Sequence, residues 1–392
     1  MVNSKCIGMV TELYVDHLYL GGGREVKNTV ISFEDGIISK LHPFDPFEHI
    51  PTTVLRVDVA APGFIDLQIN GACDRQFNDF PDIETVRAIA KGAREGGTTY
   101  VLPTYTTAPN EDYVVAMKVV DEAIKAGEPG ILGIHLEGPF LSTEKPGIHD
   151  PANMRSIRAK DIEHIRRSDA GTILLTLAPE CQPCNSITKA VEAGAIVFVG
   201  HSNATEYDIK KATKEGLTGA THLFNAMSQL TGREPGVVGS LLASVNLYSG
   251  IIADGHHVAW SNIELAAKSM PGWLFLVTDA MQTLEGEQSE IIVHGKKIVL
   301  KNGKLCDNTG RLAGAHISMD ECVKNMIKFV GVAPSIAVSM ASTVPARAIG
   351  LDHELGHVKP GFRASITMLS KEFNTQGTII DGVYFPKAGE KI

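Results

Sequence analysis

The sequence predicts an α/β protein: a (β/α)8 TIM barrel with a small β-sandwich domain formed from both chain termini. Three observations point there. Between residues 62 and 349, eight apolar β-like runs alternate with helix-compatible stretches. Outside that block, at 1–61 and 350–392, the chain turns to short strand-like pieces broken by glycine-containing turns. Polar, chemistry-bearing side chains stand at the ends of the central runs, the rim on which barrel enzymes carry their catalytic groups.

The elements follow in order. Short strands are expected at 6–15, 30–33, 37–41 and 54–59, with turns at Gly21-Gly-Gly23 and Asp35-Gly36. This piece is too small to be stable alone. The C-terminal pieces at 364–369, 377–380 and 383–385, with a turn at Asp381-Gly382, are its natural partners. The barrel strands are expected at 63–69, 98–103, 131–136, 172–177, 195–200, 216–221, 250–253 and 273–278. Helices are expected at 83–95, 112–126, 159–168, 186–193, 206–214 and 262–268, with two more at 319–330 and 335–349 closing the ring. Residues 288–311 read as a β-hairpin insertion after the eighth strand.

Composition narrows the function. Hydrophobic residues make up 44% and charged residues 21%, an ordinary soluble globular mix. The net charge is −9 with no Lys/Arg run, which argues against nucleic acid or an anionic membrane as partner. An anionic substrate would therefore need local positive contacts. The cysteines at 6, 73, 181, 184, 306 and 322 are scattered like reduced thiols of a cytoplasmic protein. Cys181-Gln-Pro-Cys184 has metal or redox spacing but no second pair, so an incidental loop is the plainer reading. No signal-peptide core opens the chain, and no apolar run approaches the ~20 residues of a membrane span.

His201 and His222 each follow an apolar run and lie one β/α unit apart, which sets them side by side on one rim. Glu137 ends the third run. Two imidazoles and a carboxylate on rigid strand ends suit a divalent ion and leave coordination room for water. Polar rim residues bonded to loops are the bland alternative. Asp279 ends the eighth run, where a carboxylate can take and return a proton; an N-cap or loop anchor is the alternative. His149, in a loop after the third run, is a candidate to polarise a carbonyl or bind substrate. Arg233, among turn residues, is an anion clamp or a solvated surface residue. Of His256 and His257, spacing does not say which faces the site.

These strand ends together resemble the amidohydrolase superfamily and, within it, the deacetylases of N-acetylated amino-sugar phosphates. The resemblance is carried by Pro62-Gly-Phe-Ile-Asp66, His135-Leu-Glu-Gly-Pro139, Leu177-Ala-Pro-Glu180, Gly200-His-Ser-Asn-Ala-Thr205, Thr221-His-Leu-Phe-Asn-Ala-Met227, Gly232-Arg-Glu-Pro-Gly236, Asp254-Gly-His-His257 and Val277-Thr-Asp279. It implies release of acetate from N-acetyl-D-glucosamine 6-phosphate. It implies one divalent metal ion per subunit, Zn with Fe, Co or Mn as alternatives, held by Glu137, His201 and His222. It implies Asp279 as general base and acid, His149 near the acetamido group, and Ile148 as a further substrate contact. It implies Asn225, Ala226, Arg233 and His257 around the sugar phosphate, with Leu312, Ala313 and Gly314 as a further substrate loop. Arg233 and His257 are expected to reach the neighbouring subunit's site in a homodimer. Many relatives carry His-x-His after the first strand; here Gln68 and Asn70 stand there, poor transition-metal ligands, so a single-metal site is expected with these amides close to the metal or its water. Two rivals are a cyclic-amide hydrolase, which would want His-x-His and a bridging lysine, and a metal-free structural homologue.

Overall fold

The computed structural model describes residues 8–45, 55–293 and 295–389. Eight parallel strands form the central sheet: Phe64–Ile69, Thr98–Thr106, Gly133–Glu137, Thr172–Leu177, Ala195–Val199, Gly219–Ala220, Tyr248–Ile252 and Leu274–Val277, each paired with the next in sequence. Every residue of the first, third and eighth is buried. Strands packed by side chains inside and helices outside must be apolar on both faces, which is why they read as unbroken apolar runs.

The ring closes between the first and eighth strands. The Asp279 N–H donates to the Gln68 carbonyl at 2.8 Å, and the Asn70 N–H to the Ala280 carbonyl at 2.8 Å. Asp66 clasps the same seam, accepting from the Gln68 N–H at 3.1 Å and from the Thr278 hydroxyl. Complete burial pushes its carboxyl up to about 7, although these hydrogen bonds pull the other way. Three of the predicted site residues, Gln68, Asn70 and Asp279, are thus fixed by the contact that closes the barrel.

Local signals set the helices. Ile83–Glu95 starts where the Asp82 carboxylate accepts the Thr85 N–H at 2.8 Å. Glu206–Glu215 opens on a Thr205/Asp208 capping box, buries Ile209 and Ala212, and ends at Gly216 with φ 111°. That left-handed exit feeds Gly219–Ala220 and delivers His222 to the rim. Loss of the Thr205 cap would cost about 1 kcal/mol.

The chain ends meet in a seven-stranded sheet ordered Val383–Pro386, Thr375–Ile380, Ile366–Leu369, Arg56–Pro62, Glu12–Gly21, Arg24–Glu34, Ile37–Pro43. Its own apolar cluster includes Leu13, Val15, Ile31, Ile38, Ala364 and Ile379. Gly63 joins the sheet to the barrel: its N–H donates to the Ser365 carbonyl at 2.9 Å. A Cβ there would lie 2.2 Å from both the Ser365 and Thr99 hydroxyl oxygens.

Some boundaries differ from expectation. The first terminal strand begins at Glu12, and Cys6 and Val54, expected in strands, lie outside the described residues. The second barrel strand runs past Pro103 to Thr106. The 335–349 stretch divides into Pro334–Ala341 and Thr343–Ala348, because Pro345 cannot share a helix with the carbonyl four residues back. Helix Gly236–Leu242 went unforeseen, since two glycines weaken its helical pattern. The 288–311 insertion is a four-stranded antiparallel sheet, Glu290–Val293, Lys296–Lys301, Lys304–Cys306 and Leu312–Ala315. Cys73, Cys181, Cys184, Cys306 and Cys322 are free thiols. No helix among the described residues is long and apolar enough to cross a membrane.

Candidate metal and catalytic site

The strand ends open into a cavity of about 330 Å³ on the C-terminal rim. His201, His222 and Asp279 hold φ of 48°, 32° and 51°, and each follows its strand by two residues. This left-handed turn ends the strand and swings the side chain over the barrel mouth. For non-glycine residues it costs on the order of 1–3 kcal/mol each, strain of the kind found at functional sites.

Glu137, His201 and His222 converge, with their ligand atoms within 4.8 Å of one another. Glu137 Oε1 lies 3.2 Å from His201 Nε2 and 2.9 Å from His222 Nε2, and the two Nε2 atoms are 3.1 Å apart. The proton inventory leaves a place for a proton or a cation here. His201 Nδ1 faces the Lys145 carbonyl at 3.0 Å, and a carbonyl only accepts, so Nδ1 carries the hydrogen. His201 Nε2 then faces the Glu137 carboxylate oxygen. Two acceptors at 3.2 Å require a proton or cation between them. Burial would raise the Glu137 carboxyl, but its hydrogen bonds and charge contacts with the histidines hold it well below the usual range. Burial would lower His222, and Glu137 outweighs it and raises the imidazole. The cluster is therefore built to keep the carboxylate ionised beside positive charge.

Asp279 faces this cluster. Its Oδ1 accepts from Asn70 Nδ2 at 2.7 Å and Gln68 Nε2 at 3.1 Å. Its Oδ2 accepts no hydrogen bond from the described residues. The Gln68 amide also donates to Glu137 Oε1 at 3.2 Å, tying the candidate base to the candidate ligand. Desolvation, and then the Glu137 charge, push the Asp279 carboxyl up to about 6. A carboxyl with that value exchanges protons near neutral pH.

His149 lies beside the cluster, its ring 4.3 Å from that of His201. Its Nδ1 receives the Thr107 N–H at 3.4 Å and contacts the Thr107 hydroxyl at 2.9 Å. Because an N–H only donates, Nδ1 accepts and Nε2 carries the hydrogen. Across the cavity, Asp254 takes the His256 and His257 N–H groups at 2.8 and 2.9 Å on one oxygen. Its other oxygen meets His257 Nδ1 at 2.6 Å. Burial would raise Asp254, but His257 overrides it and lowers the carboxyl.

The amidohydrolase family model matches residues 59–384. The chain belongs to the amidohydrolase family. It is 38% identical over 336 residues to the N-acetylglucosamine-6-phosphate deacetylase of Haemophilus influenzae, covering 85% of this chain and 88% of that one. It is 39% identical over 355 residues to the N-acetylgalactosamine-6-phosphate deacetylase of a Shewanella species, covering 89% and 90%. The crystal structure of the N-acetylglucosamine-6-phosphate deacetylase from Pasteurella multocida superposes with a TM-score of 0.90 at 35% identity, covering 97% of this chain and 100% of that one. Amidohydrolases are metal-dependent, and among the described residues the Glu137–His201–His222 cluster has the donors that could hold an ion.

Most of the expected residues meet in this one amidohydrolase cavity: Asn70, Glu137, Ile148, His149, His201, His222, Asn225, Ala226, His257, Asp279, Leu312 and Gly314 all line it. Three of the expected residues have placements of their own. His257 was expected to serve a neighbouring subunit; held by Asp254, it lines its own chain's cavity. Ala313 points away: along Leu312–Ala315 burial alternates, and Ala313 packs with Met281, Ile291 and Ile298. Arg233 is exposed and outside the cavity wall. The sequence reading missed Gln76, Thr106, Met281 and Arg311 in that wall. Thr106 was within reach, had the second strand not been ended at Pro103. Met281 and Arg311 sit in loops, and Gln76 in the two-residue strand Arg75–Gln76, whose paths only the fold reveals.

Proposed function

We propose that this amidohydrolase is a metal-dependent deacetylase that hydrolyses N-acetyl-D-glucosamine 6-phosphate to D-glucosamine 6-phosphate and acetate. One observation carries the reading: a two-histidine, one-carboxylate cluster tied through the Gln68 amide to a carboxyl with one unoccupied oxygen. Glu137, His201 and His222 would hold the ion. When bound, a divalent ion supplies Lewis acidity toward water and the amide carbonyl.

The chain's own groups supply the rest. Asp279 Oδ2 takes a proton from water as the water oxygen bonds to the acetamido carbon. Gln68 and Asn70 hold Oδ1, so Oδ2 keeps its aim. The His149 Nε2–H donates to the carbonyl oxygen as it gains charge, a contribution of about 3–4 kcal/mol for a well-placed donor. Asp279 then passes its proton to the amide nitrogen as the C–N bond breaks, and acetate leaves. His257, Asn225 and Ala226 bind the phosphate end, so that affinity remote from the amide orients it. Leu312 and Gly314 wall the sugar.

Zn²⁺ is our preferred ion, because a two-histidine, one-glutamate set is a recurrent catalytic zinc site; Fe²⁺, Co²⁺ and Mn²⁺ suit the same donors. We further propose a cytoplasmic homodimer in which the exposed Arg233 reaches the neighbouring cavity. The 4-epimer, N-acetyl-D-galactosamine 6-phosphate, is a second reading, favoured by the 39% identical relative that bears that name. The test is acetate release from both sugar phosphates and from unphosphorylated N-acetylglucosamine. We expect the gluco phosphate to be turned over fastest and the unphosphorylated sugar poorly. Equal rates on phosphorylated and unphosphorylated sugars would remove the phosphate contacts, and a faster galacto epimer would reassign the substrate.

A further inference from the structure

We propose that Glu180 is a positioning residue for His201, acting through the Ser202–Asn203 backbone that leaves the histidine's strained turn. The proposal rests on the reading of Glu137, His201 and His222 as the ion site. Glu180 ends the Leu177-Ala-Pro-Glu180 motif, yet it belongs neither to that cluster nor to the cavity wall.

His201 holds its left-handed φ of 48° as a non-glycine residue. Such a conformation persists only where its surroundings over-determine it. Upstream, strand pairing carries the chain as far as Gly200, whose N–H donates to the Leu177 carbonyl at 3.2 Å. At the histidine, the backbone carbonyl accepts the Ser142 N–H at 2.9 Å, and the ring Nδ1 meets the Lys145 carbonyl at 3.0 Å. Immediately downstream, one carboxylate takes two donors in a row. Glu180 Oε2 accepts the Ser202 hydroxyl at 2.7 Å, and Oε1 accepts the Asn203 N–H at 2.6 Å. Ser202 Oγ itself accepts the Ala204 N–H at 3.1 Å, which leaves its own hydrogen for Glu180.

The bridge joins three strand exits. Glu180 lies just past Thr172–Leu177, and Ser202 just past Ala195–Val199. The Ser202 N–H donates to the Ala226 carbonyl at 3.1 Å, and its carbonyl accepts the Ser228 N–H at 3.0 Å, in the loop that follows His222. No Lys, Arg or His among the described residues pairs with Glu180. Burial raises its carboxyl, and the bonds to Ser202 and Asn203 work against that rise. A part-buried carboxylate without a cation is costly, and here its hydrogen bonds go to the turn that aims His201.

The competing role is a loop anchor that serves stability alone. Titration of the chelator-stripped protein with Co²⁺, followed by ligand-field absorption, separates the two without any assay of turnover. We expect E180A to weaken Co²⁺ binding about 10–100-fold, the scale of removing a partner that orients a metal ligand, and to shift the absorption band. E180Q keeps an acceptor for Asn203 but leaves the Ser202 hydrogen without one, so its affinity should fall between E180A and wild type. Wild-type affinity and band in E180A would overturn the proposal, whatever its unfolding midpoint does. Should E180A fail to fold, E180Q decides: weaker Co²⁺ binding supports the role, and unchanged binding refutes it. A wild type that binds no Co²⁺ would refute the ion site, and this proposal with it. Binding by the wild type that E180A leaves unchanged would refute the positioning role alone.

Discussion

Replacement of Asp279 by Asn removes the proton carrier and very little else. Asp279 Oδ1 accepts two amide hydrogens, from Asn70 at 2.7 Å and Gln68 at 3.1 Å. An asparagine oxygen in that position accepts the same two. The substituted atom is then Oδ2, which receives no hydrogen bond from the described residues and faces the reactants. An NH2 group there cannot take a proton from water. Fold, seam and ion cluster should persist, while general-base assistance, worth ~10²–10⁴-fold, disappears. That corresponds to about 3–5 kcal/mol of barrier. The assay is kcat for acetate release from N-acetylglucosamine 6-phosphate, alongside metal content by mass spectrometry and the thermal unfolding midpoint. The pH profile adds a second readout. The base must be ionised, so kcat/KM rises with pH through the Asp279 titration. Burial and Glu137 put that carboxyl at about 6, and a bound cation favours the carboxylate and draws the limb lower. The Asn variant should lose this limb. A D279N enzyme with full metal and kcat within about tenfold of wild type would refute Asp279 as the proton carrier.

Three further predictions probe the ion site and the frame. Glu137→Gln removes the charge that pairs with both histidines, and the variant should retain less than about a tenth of the wild-type metal after gel filtration. In the wild type, occupancy should fall with acidification as protons compete for His222, which Glu137 holds above its usual value despite burial; equilibrium dialysis across pH measures this, and pH-independent occupancy would contradict it. Gly63→Ala drives a Cβ to 2.2 Å from the Thr99 and Ser365 hydroxyls, and should lower stability by about 1–3 kcal/mol in denaturant titrations while leaving metal content unchanged.

The barrel was legible because its strands are buried on both faces and read as continuous apolar runs, and because its catalytic groups stand at their ends. Glu137, His201, His222 and Asp279 could each be picked out that way. The left-handed φ values of His201, His222 and Asp279 could not, since nothing in the sequence around a histidine or aspartate announces such a turn. Gln68 and Asn70 were recognisable as amides where relatives carry imidazoles. Their task of holding Asp279 Oδ1 depends on the closure of strand one against strand eight, a contact more than 200 residues apart along the chain. The inward packing of Ala313 was not legible, because a three-residue motif does not tell which face of a strand each side chain takes. The place of His257 on its own chain's cavity wall was not legible, because spacing alone did not tell which of His256 and His257 faces the site. Arg311 escaped notice as one arginine in a polar turn, which the insertion sheet then carries to the cavity mouth.

The central claim is that one ion, held by Glu137, His201 and His222, makes this chain a deacetylase. The most direct measurement strips the purified protein with a chelator and titrates Zn²⁺ back while following acetate release from N-acetylglucosamine 6-phosphate. We expect no release from the stripped protein and a linear return of activity that saturates at one equivalent per chain. Full activity without metal, or saturation only at two equivalents, would contradict the account.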